Sequence, residues 1–165
     1  MNYFELFGLP IGFQVDAAKL RQAYMEIQRT SHPDKFTQSS IDDQDIALEK
    51  SAIANKAFTL LNNKELILPY VLEVMGYMET DEKYALSPDF LMEMMDLNEA
   101  WMDADSEAAK SNVTQQVKTI QNAIYTTVKA ILEANSIDIT KEAMLQVKEY
   151  YYKKKYLDRI LADFR

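Results

Sequence analysis

The stretch AYMEIQRTSHPDKF, from Ala23 to Phe36, contains the end of one helix and the turn that follows it. Leading into it, apolar residues recur at the i, i+3, i+4, i+7 spacing of one helical face, namely Leu20, Ala23, Tyr24 and Ile27. Asp16 stands where the N-cap of this helix belongs. Pro33 ends the helix because its ring disfavours helical geometry at His32 and because proline has no N–H to donate.

A second long helix follows this turn, predicted from about Asp42 to Leu61. Its apolar face has the same spacing and consists of Ala54, Ala57, Phe58 and Leu61. Two helices joined by so short a connection pair as an antiparallel hairpin. The tripeptide His32-Pro33-Asp34 is therefore expected at the tip of that hairpin.

Short elements are expected on both sides of the hairpin. Residues Met1 to Gly8 are predicted to form a short apolar turn. Pro69 is predicted as the first residue of a short helix that ends at Met75, because the first helical position does not need an N–H. Gly76 can then cap that helix in the left-handed conformation.

Three further helices are predicted in the rest of the chain, at Pro88 to about Ala104, Asn112 to Ala134, and Thr140 to Phe164. Their heptad-like apolar spacing and short connections predict an antiparallel three-helix bundle. The fold class is therefore all-α: an N-terminal domain at 1–76, a linker at 77–86 and a C-terminal bundle at 87–165.

Composition excludes several classes of function. The chain has 165 residues, with 18 basic and 26 acidic side chains and a net charge of −8, which argues against binding to nucleic acid. No apolar run approaches the length of a membrane span, and the first residues do not resemble an export signal, so we expect a cytoplasmic protein. With no cysteine, one histidine and three glycines, the chain has no evident metal ligand set, phosphate-binding loop or cofactor site. We therefore expect a protein that is not an enzyme.

The helix predicted from Pro88 has two apolar stripes. One is the expected core stripe, formed by Phe90, Met94, Leu97 and Trp101. The other side has Leu91, Met92 and Met95 next to Asp96 and Glu99. The second stripe either packs against the N-terminal domain or binds a partner, since methionine-rich surfaces suit adaptable recognition. On the last helix, Tyr152 and Tyr156 lie off the core stripe and can extend the same surface.

The tripeptide, placed between an A-Y-x-x-I helix and an A-N-x-A-F helix, resembles the J domain of co-chaperones that drive ATP hydrolysis by DnaK-class chaperones. The resemblance implies that the hairpin tip and the exposed face of the preceding helix dock on that chaperone, which itself holds the nucleotide and magnesium. The implied chaperone-binding residues are Arg21, Met25, Arg29, His32, Pro33, Asp34 and Lys35.

A narrower resemblance covers essentially the whole chain. The segments Y-F-E-L-F-G-L-P (Tyr3–Pro10), H-P-D-K-F (His32–Phe36) and F-L-M-E (Phe90–Glu93) are similar to the HscB family of iron–sulfur cluster co-chaperones. In bacterial members the bundle binds the scaffold protein IscU and delivers it to the chaperone HscA. The implied client-binding residues are Leu91, Met92, Met95, Asp96, Glu99 and Tyr156. The alternatives are a J protein with a different client and a general helical interaction module.

Overall fold

The computed structural model describes all residues from Met1 to Arg165, and every regular element in it is helical. Besides a short 3-10 helix at Pro33–Phe36, the chain forms α1 (Tyr3–Leu6), α2 (Ala17–Ser31), α3 (Ile41–Leu61), α4 (Lys64–Val74), α5 (Pro88–Asp103), α6 (Glu107–Leu132) and α7 (Lys141–Asp163). The predicted all-α class is confirmed. None of these helices is long and apolar enough to cross a membrane.

The chain folds as two compact units. The first comprises Met1–Met75 together with Asn135–Ile137, and the second comprises Gly76–Ala134 and Asp138–Arg165. Helices α1 to α4 thus belong to the first unit and α5 to α7 to the second. Each unit has fully buried apolar side chains of its own.

The first unit is built on the hairpin of α2 and α3. The Asp16 carboxylate accepts the backbone N–H groups of Ala18 and Lys19 at 3.0 and 3.1 Å, which starts α2 as the sequence predicted. Helix α2 ends at Ser31, directly before the His-Pro-Asp turn, and Ser40 caps the start of α3. The two helices pack against each other and leave the turn at the tip of the hairpin.

Helices α1 and α4 of this unit are tied to each other. The Asn2 side chain accepts the N–H of Glu5, so the predicted turn at the N-terminus contains the single helical turn α1. The Tyr3 N–H donates to the Tyr70 hydroxyl at 2.8 Å, and the two rings stack with centroids 5.0 Å apart. These contacts fix α1 on α4.

The predicted start of α4 is wrong. The helix begins at Lys64, because the Asn63 side chain accepts the N–H of Glu65 at 2.9 Å and acts as the N-cap. Pro69 lies inside the helix, where it offers no N–H to the preceding turn. Gly76 follows the helix with a φ of +82°, the left-handed conformation that the sequence predicted.

The second unit is a bundle of α5, α6 and α7 around an apolar core. Residues of all three helices meet in one buried cluster formed by Phe90, Met94, Leu97, Val113, Val117, Leu157, Ile160 and Phe164. Trp101 lies at its edge and is half-buried, with its ring stacked 4.5 Å from that of Phe164. The three-helix bundle predicted from the apolar spacing is confirmed.

Hydroxyl side chains set the starts of the bundle helices. Ser87 accepts the N–H of Phe90 and Thr140 accepts that of Ala143, so α5 and α7 begin close to the predicted residues. Helix α6 begins at Glu107 and not at Asn112, because Ser106 accepts the N–H of Ala109 at 3.1 Å. The predicted start was wrong because the apolar periodicity begins only at Val113, about two turns after this cap.

The segment Tyr77–Leu86, expected as a linker, belongs to the second unit, where it contacts α7. We call it the connecting segment. Its Tyr84 ring stacks on Tyr152 with centroids 4.5 Å apart and planes 1° from parallel. Its Glu82 carboxylate accepts from Lys148 at 2.8 Å and from the Tyr152 hydroxyl at 3.1 Å. These bonds hold the segment against the helix.

Candidate functional site

The His-Pro-Asp turn is held by hydrogen bonds within itself. His32 ends α2 and caps the 3-10 helix in an extended conformation (φ −61°, ψ 134°), which is the geometry that a following proline favours. The His32 carbonyl accepts the N–H of Lys35 at 3.0 Å, and the His32 ring Nδ1 accepts the N–H of Asp34 at 3.2 Å. The turn is therefore preorganised and needs little ordering on binding.

The same bonds determine which polar atoms face outward. Because Nδ1 accepts a hydrogen bond, the proton of the neutral ring lies on Nε2, where it can be donated to a partner. The Asp34 carboxylate lies 3.5 Å from Nδ1, and the exposed fractions of the two side chains are 49% for His32 and 89% for Asp34. The turn thus presents one donor and one carboxylate to the solvent.

The residues implied as chaperone-binding form what we call the tip surface: Arg21, Met25, Arg29, His32, Pro33, Asp34 and Lys35. All are exposed except Pro33, which is half-buried. Arg29 is paired with Glu26 at 2.6 Å, which raises the pKa of Arg29 and lowers that of Glu26. Neither Arg21 nor Lys35 has an ion pair within the chain, so these two cations remain available.

A polar seam between α2 and α3 supports the tip, and the sequence did not reveal it. The Tyr24 hydroxyl donates to Asn55 Oδ1 at 2.6 Å, while its ring stacks on Phe58 with centroids 4.4 Å apart. One turn nearer the tip, Ser51 Oγ donates to Gln28 Oε1 at 2.8 Å. Apolar spacing identifies the ring pair, but the polar partners depend on the register in which the two helices pair.

The residues implied as client-binding form what we call the bundle surface: Leu91, Met92, Met95, Asp96, Glu99 and Tyr156. The first five lie on α5 and are all exposed, Leu91 by 36%, Met92 by 63% and Met95 by 67%. The core stripe of the same helix, represented by Met94, is buried. The second apolar stripe of α5 is therefore exposed, in contrast to the core stripe of the same helix.

Tyr156 joins this surface from α7. Its half-buried ring meets the edge of Phe90 at a centroid distance of 6.0 Å, and the Arg159 guanidinium lies 5.0 Å from its centre. Leu91 and Tyr156 line the same surface groove. The structure thus brings together side chains that are more than sixty positions apart in the sequence.

Two further residues bear on this surface. Met102, which is 82% exposed, continues the stripe of Met92, Met95 and Glu99 by one more turn, and the same spacing could have identified it. Tyr152, expected to extend the patch, instead donates to Glu82; burial and that bond raise its pKa to about 12.

No group of three or more histidine, cysteine, aspartate or glutamate side chains is positioned to hold a metal ion. The one histidine belongs to the exposed turn. What the two units expose is a polar turn in one and an apolar helix face in the other.

Comparison with known proteins finds whole-chain relatives. The "Co-chaperone protein HscB homolog" of Aliivibrio salmonicida is 32% identical and covers 97% of this chain and 92% of its own length. The human "Iron-sulfur cluster co-chaperone protein HscB" is 31% identical over 90% of this chain and 64% of its own length. The crystal structure of the human co-chaperone HscB matches 99% of this chain and 80% of that one, with a TM-score of 0.71 and 30% identity.

The chain belongs to the HscB family of iron–sulfur cluster co-chaperones. Its residues 86–165 also match the family model described as the HSCB C-terminal oligomerisation domain. The whole bundle surface, from Leu91 to Tyr156, lies within that match. The bacterial HscB relative covers both units, and both HscB proteins are named as co-chaperones and not as enzymes.

Proposed function

We propose that this chain is an adaptor that stimulates the ATPase of a DnaK-class chaperone, HscA, and delivers the iron–sulfur scaffold protein IscU to it. The tip surface acts on the chaperone, and the bundle surface holds the client. The activity belongs to the bacterial cytoplasm. The observation that supports this proposal most strongly is the exposure of two dissimilar surfaces, one on each unit of a chain from the HscB family.

The tip surface suits the chaperone because its polar groups are fixed before binding. Asp34 and the Nε2–H of His32 can bias a hydrogen-bond network in the partner towards hydrolysis, while Pro33 limits the entropy lost on docking. Arg21 and Lys35 supply unpaired positive charge for an acidic patch on the chaperone. The nucleotide and its magnesium belong to the partner.

The bundle surface suits a folded client because it combines an apolar centre with acidic residues. Leu91, Met92 and Met95 offer flexible apolar contact area, and Asp96 and Glu99 select a partner with basic groups opposite them. An exposed apolar patch of this kind is typical of an interaction site.

Steady-state ATP turnover by HscA tests the chaperone half of the proposal. The unmodified chain is expected to raise the turnover rate, and the His32→Gln variant to leave it at the unstimulated value. The exposed neighbour Gln38, changed to alanine, is the matched control and should stimulate fully. Equal stimulation by the unmodified chain and His32→Gln would contradict the proposal.

A second candidate function is self-association through the bundle surface. The family model that matches this region is described as an oligomerisation domain, and the exposed methionines of α5 suit contact with a second copy. Sedimentation equilibrium distinguishes the two functions: a monomer that binds IscU one-to-one supports the adaptor, and a concentration-dependent dimer disrupted by Met92→Ala supports self-association.

A further inference from the structure

A groove in the second unit runs between the connecting segment and α7, with Leu91 of α5 at its edge. Its apolar lining comes from Tyr84, Leu86, Leu91 and Tyr156, and its cationic lining from Lys155 and Arg159. The groove is continuous with the bundle surface, since Leu91 and Tyr156 belong to both.

The wall contributed by the connecting segment is fixed in place. The Glu82 carboxylate accepts from Lys148 and Tyr152, and the Tyr84 ring is stacked flat on Tyr152. Because both oxygens of Glu82 are occupied, its negative charge is compensated within the chain. The one carboxylate that lines the groove is therefore already paired and does not balance Lys155 and Arg159.

Apart from Lys141 at the first position of the helix, the cations of α7 fall into two sets. Lys148, Lys153 and Lys154 each form an ion pair, with Glu82, Glu149 and Asp158 respectively. Lys155 and Arg159, which line the groove, have none, and instead lie 5.8 and 5.0 Å from the ring centres of Tyr151 and Tyr156. In the second half of α7, the cations without an ion pair are therefore the two that line the groove.

We infer that this groove binds a segment of the client in which an apolar side chain lies beside a carboxylate, with Arg159 as the residue that recognises the carboxylate. The inference rests on the proposed function and specifies which part of the client meets α7. The apolar side chain enters between Leu86, Leu91 and Tyr156. The cations of the groove and the acids Asp96 and Glu99 of α5 then fix the orientation of the client, because only one direction pairs opposite charges on both sides.

Titration calorimetry with IscU, using a graded series at Arg159, tests this inference. The expected affinity is nearly unchanged for Arg159→Lys, about tenfold weaker for Arg159→Gln, and about a hundredfold weaker for Arg159→Glu. The affinity of the unmodified chain should also fall more steeply with salt than that of Arg159→Gln. Lys141→Glu is the matched control, since it makes the same charge change on α7 about 27 Å away.

Fluorescence of the single tryptophan, Trp101, verifies that each variant keeps its folded bundle. Binding of Arg159→Glu as tight as that of Lys141→Glu would overturn the inference and leave the proposed function standing. Absence of binding by the unmodified chain would overturn both. A change in self-association and not in IscU binding would assign the groove to a second copy and overturn the inference as well.

Discussion

The tip surface and the bundle surface are built in opposite ways. The tip is a polar turn whose groups are fixed by bonds within the tripeptide, on a hairpin held by a polar seam. The bundle surface is centred on an exposed apolar stripe of α5, whose other stripe lies in the core of the unit. The function proposed for the tip therefore depends on the identity of a few atoms, whereas the function proposed for the bundle depends on apolar area that folding did not bury.

The largest effect is expected from a change that removes one charge from the tip. Asp34→Asn keeps the backbone N–H that donates to His32, so the turn should persist, while the exposed carboxylate is lost. We expect stimulation of the chaperone ATPase to fall to the unstimulated rate. Asp105→Asn, an exposed carboxylate in the other unit, is the control. Full stimulation by Asp34→Asn would show that the tip acts through its shape alone.

The two stripes of α5 should respond differently to truncation. Leu91→Ala with Met92→Ala removes exposed area, so we expect IscU affinity to weaken by about a hundredfold while stability changes by less than about 1 kcal/mol. Met94→Ala creates a cavity in the core and should lower the free energy of unfolding by about 2–5 kcal/mol. Titration calorimetry measures the affinity for IscU, and urea unfolding followed by Trp101 fluorescence measures the stability. If the double variant unfolds as easily as Met94→Ala, the outer stripe is part of the core.

A smaller effect is expected in the seam of the hairpin. Ser51→Ala leaves Gln28 Oε1 without the hydroxyl that donates to it, which should destabilise the first unit by about 1 kcal/mol. Amide hydrogen exchange in α2 and α3 measures this loss, because the only tryptophan reports on the other unit. Thr59→Ala, an exposed change in the same helix, should leave exchange unaltered. Unchanged exchange in Ser51→Ala would mean that the seam does not hold the hairpin.

The smallest effect concerns the connecting segment and depends on pH. The bond from Lys148 holds the pKa of Glu82 below its ordinary value of 4.5, so its contribution to stability is present above pH 4.5 and is lost as the pH falls through the lowered pKa. Glu82→Gln should lower Tm by only about 1–2 °C at pH 7, and the difference from the unmodified chain should shrink in acid. Glu79→Gln is the exposed control. If the difference in Tm between Glu82→Gln and the unmodified chain stays constant down to pH 3, this assignment is contradicted.

The Tyr152 hydroxyl, which bonds to Glu82, should make stability depend on pH in the opposite direction: its contribution is lost as the pH rises. Tyr152 has its pKa raised from 10.0 to about 12, so its contribution is complete below pH 10 and is lost as the pH rises towards 12. Tyrosinate absorbance compared with that of Tyr152→Phe should show one tyrosine titrating late. If the unmodified chain and Tyr152→Phe show no such difference, burial and the bond to Glu82 do not restrain this hydroxyl.

Much of the fold could be predicted from local signals. Asp16 starts α2 and Pro33 ends it, and both could be predicted because a cap and a helix breaker act on neighbouring atoms. The same logic failed at Pro69, where the Asn63 cap and the packing of α4 outweigh the preference of proline for a first turn. Local rules therefore locate helix ends well only when no stronger cap lies upstream.

In the candidate surfaces, too, some features could be predicted from the sequence and others depend on tertiary structure. The tripeptide and the second stripe of α5 follow from sequence, since one is a motif and the other a periodicity. The bonds of Glu82 to Lys148 and Tyr152 do not, because they join residues 66 and 70 positions apart. The groove that contains Arg159 is likewise a product of tertiary structure, and no sequence spacing indicates it.

We expect the tip surface and the bundle surface to act together only when one chain carries both. The most direct test is the ATPase rate of HscA at limiting IscU, measured with an equimolar mixture of His32→Gln and the Leu91→Ala, Met92→Ala double variant. One protein in the mixture has an intact bundle surface and the other an intact tip. We expect the mixture to fall well short of the client-dependent rate given by the unmodified chain. A mixture that restores the full rate would show that the two surfaces can act from separate molecules.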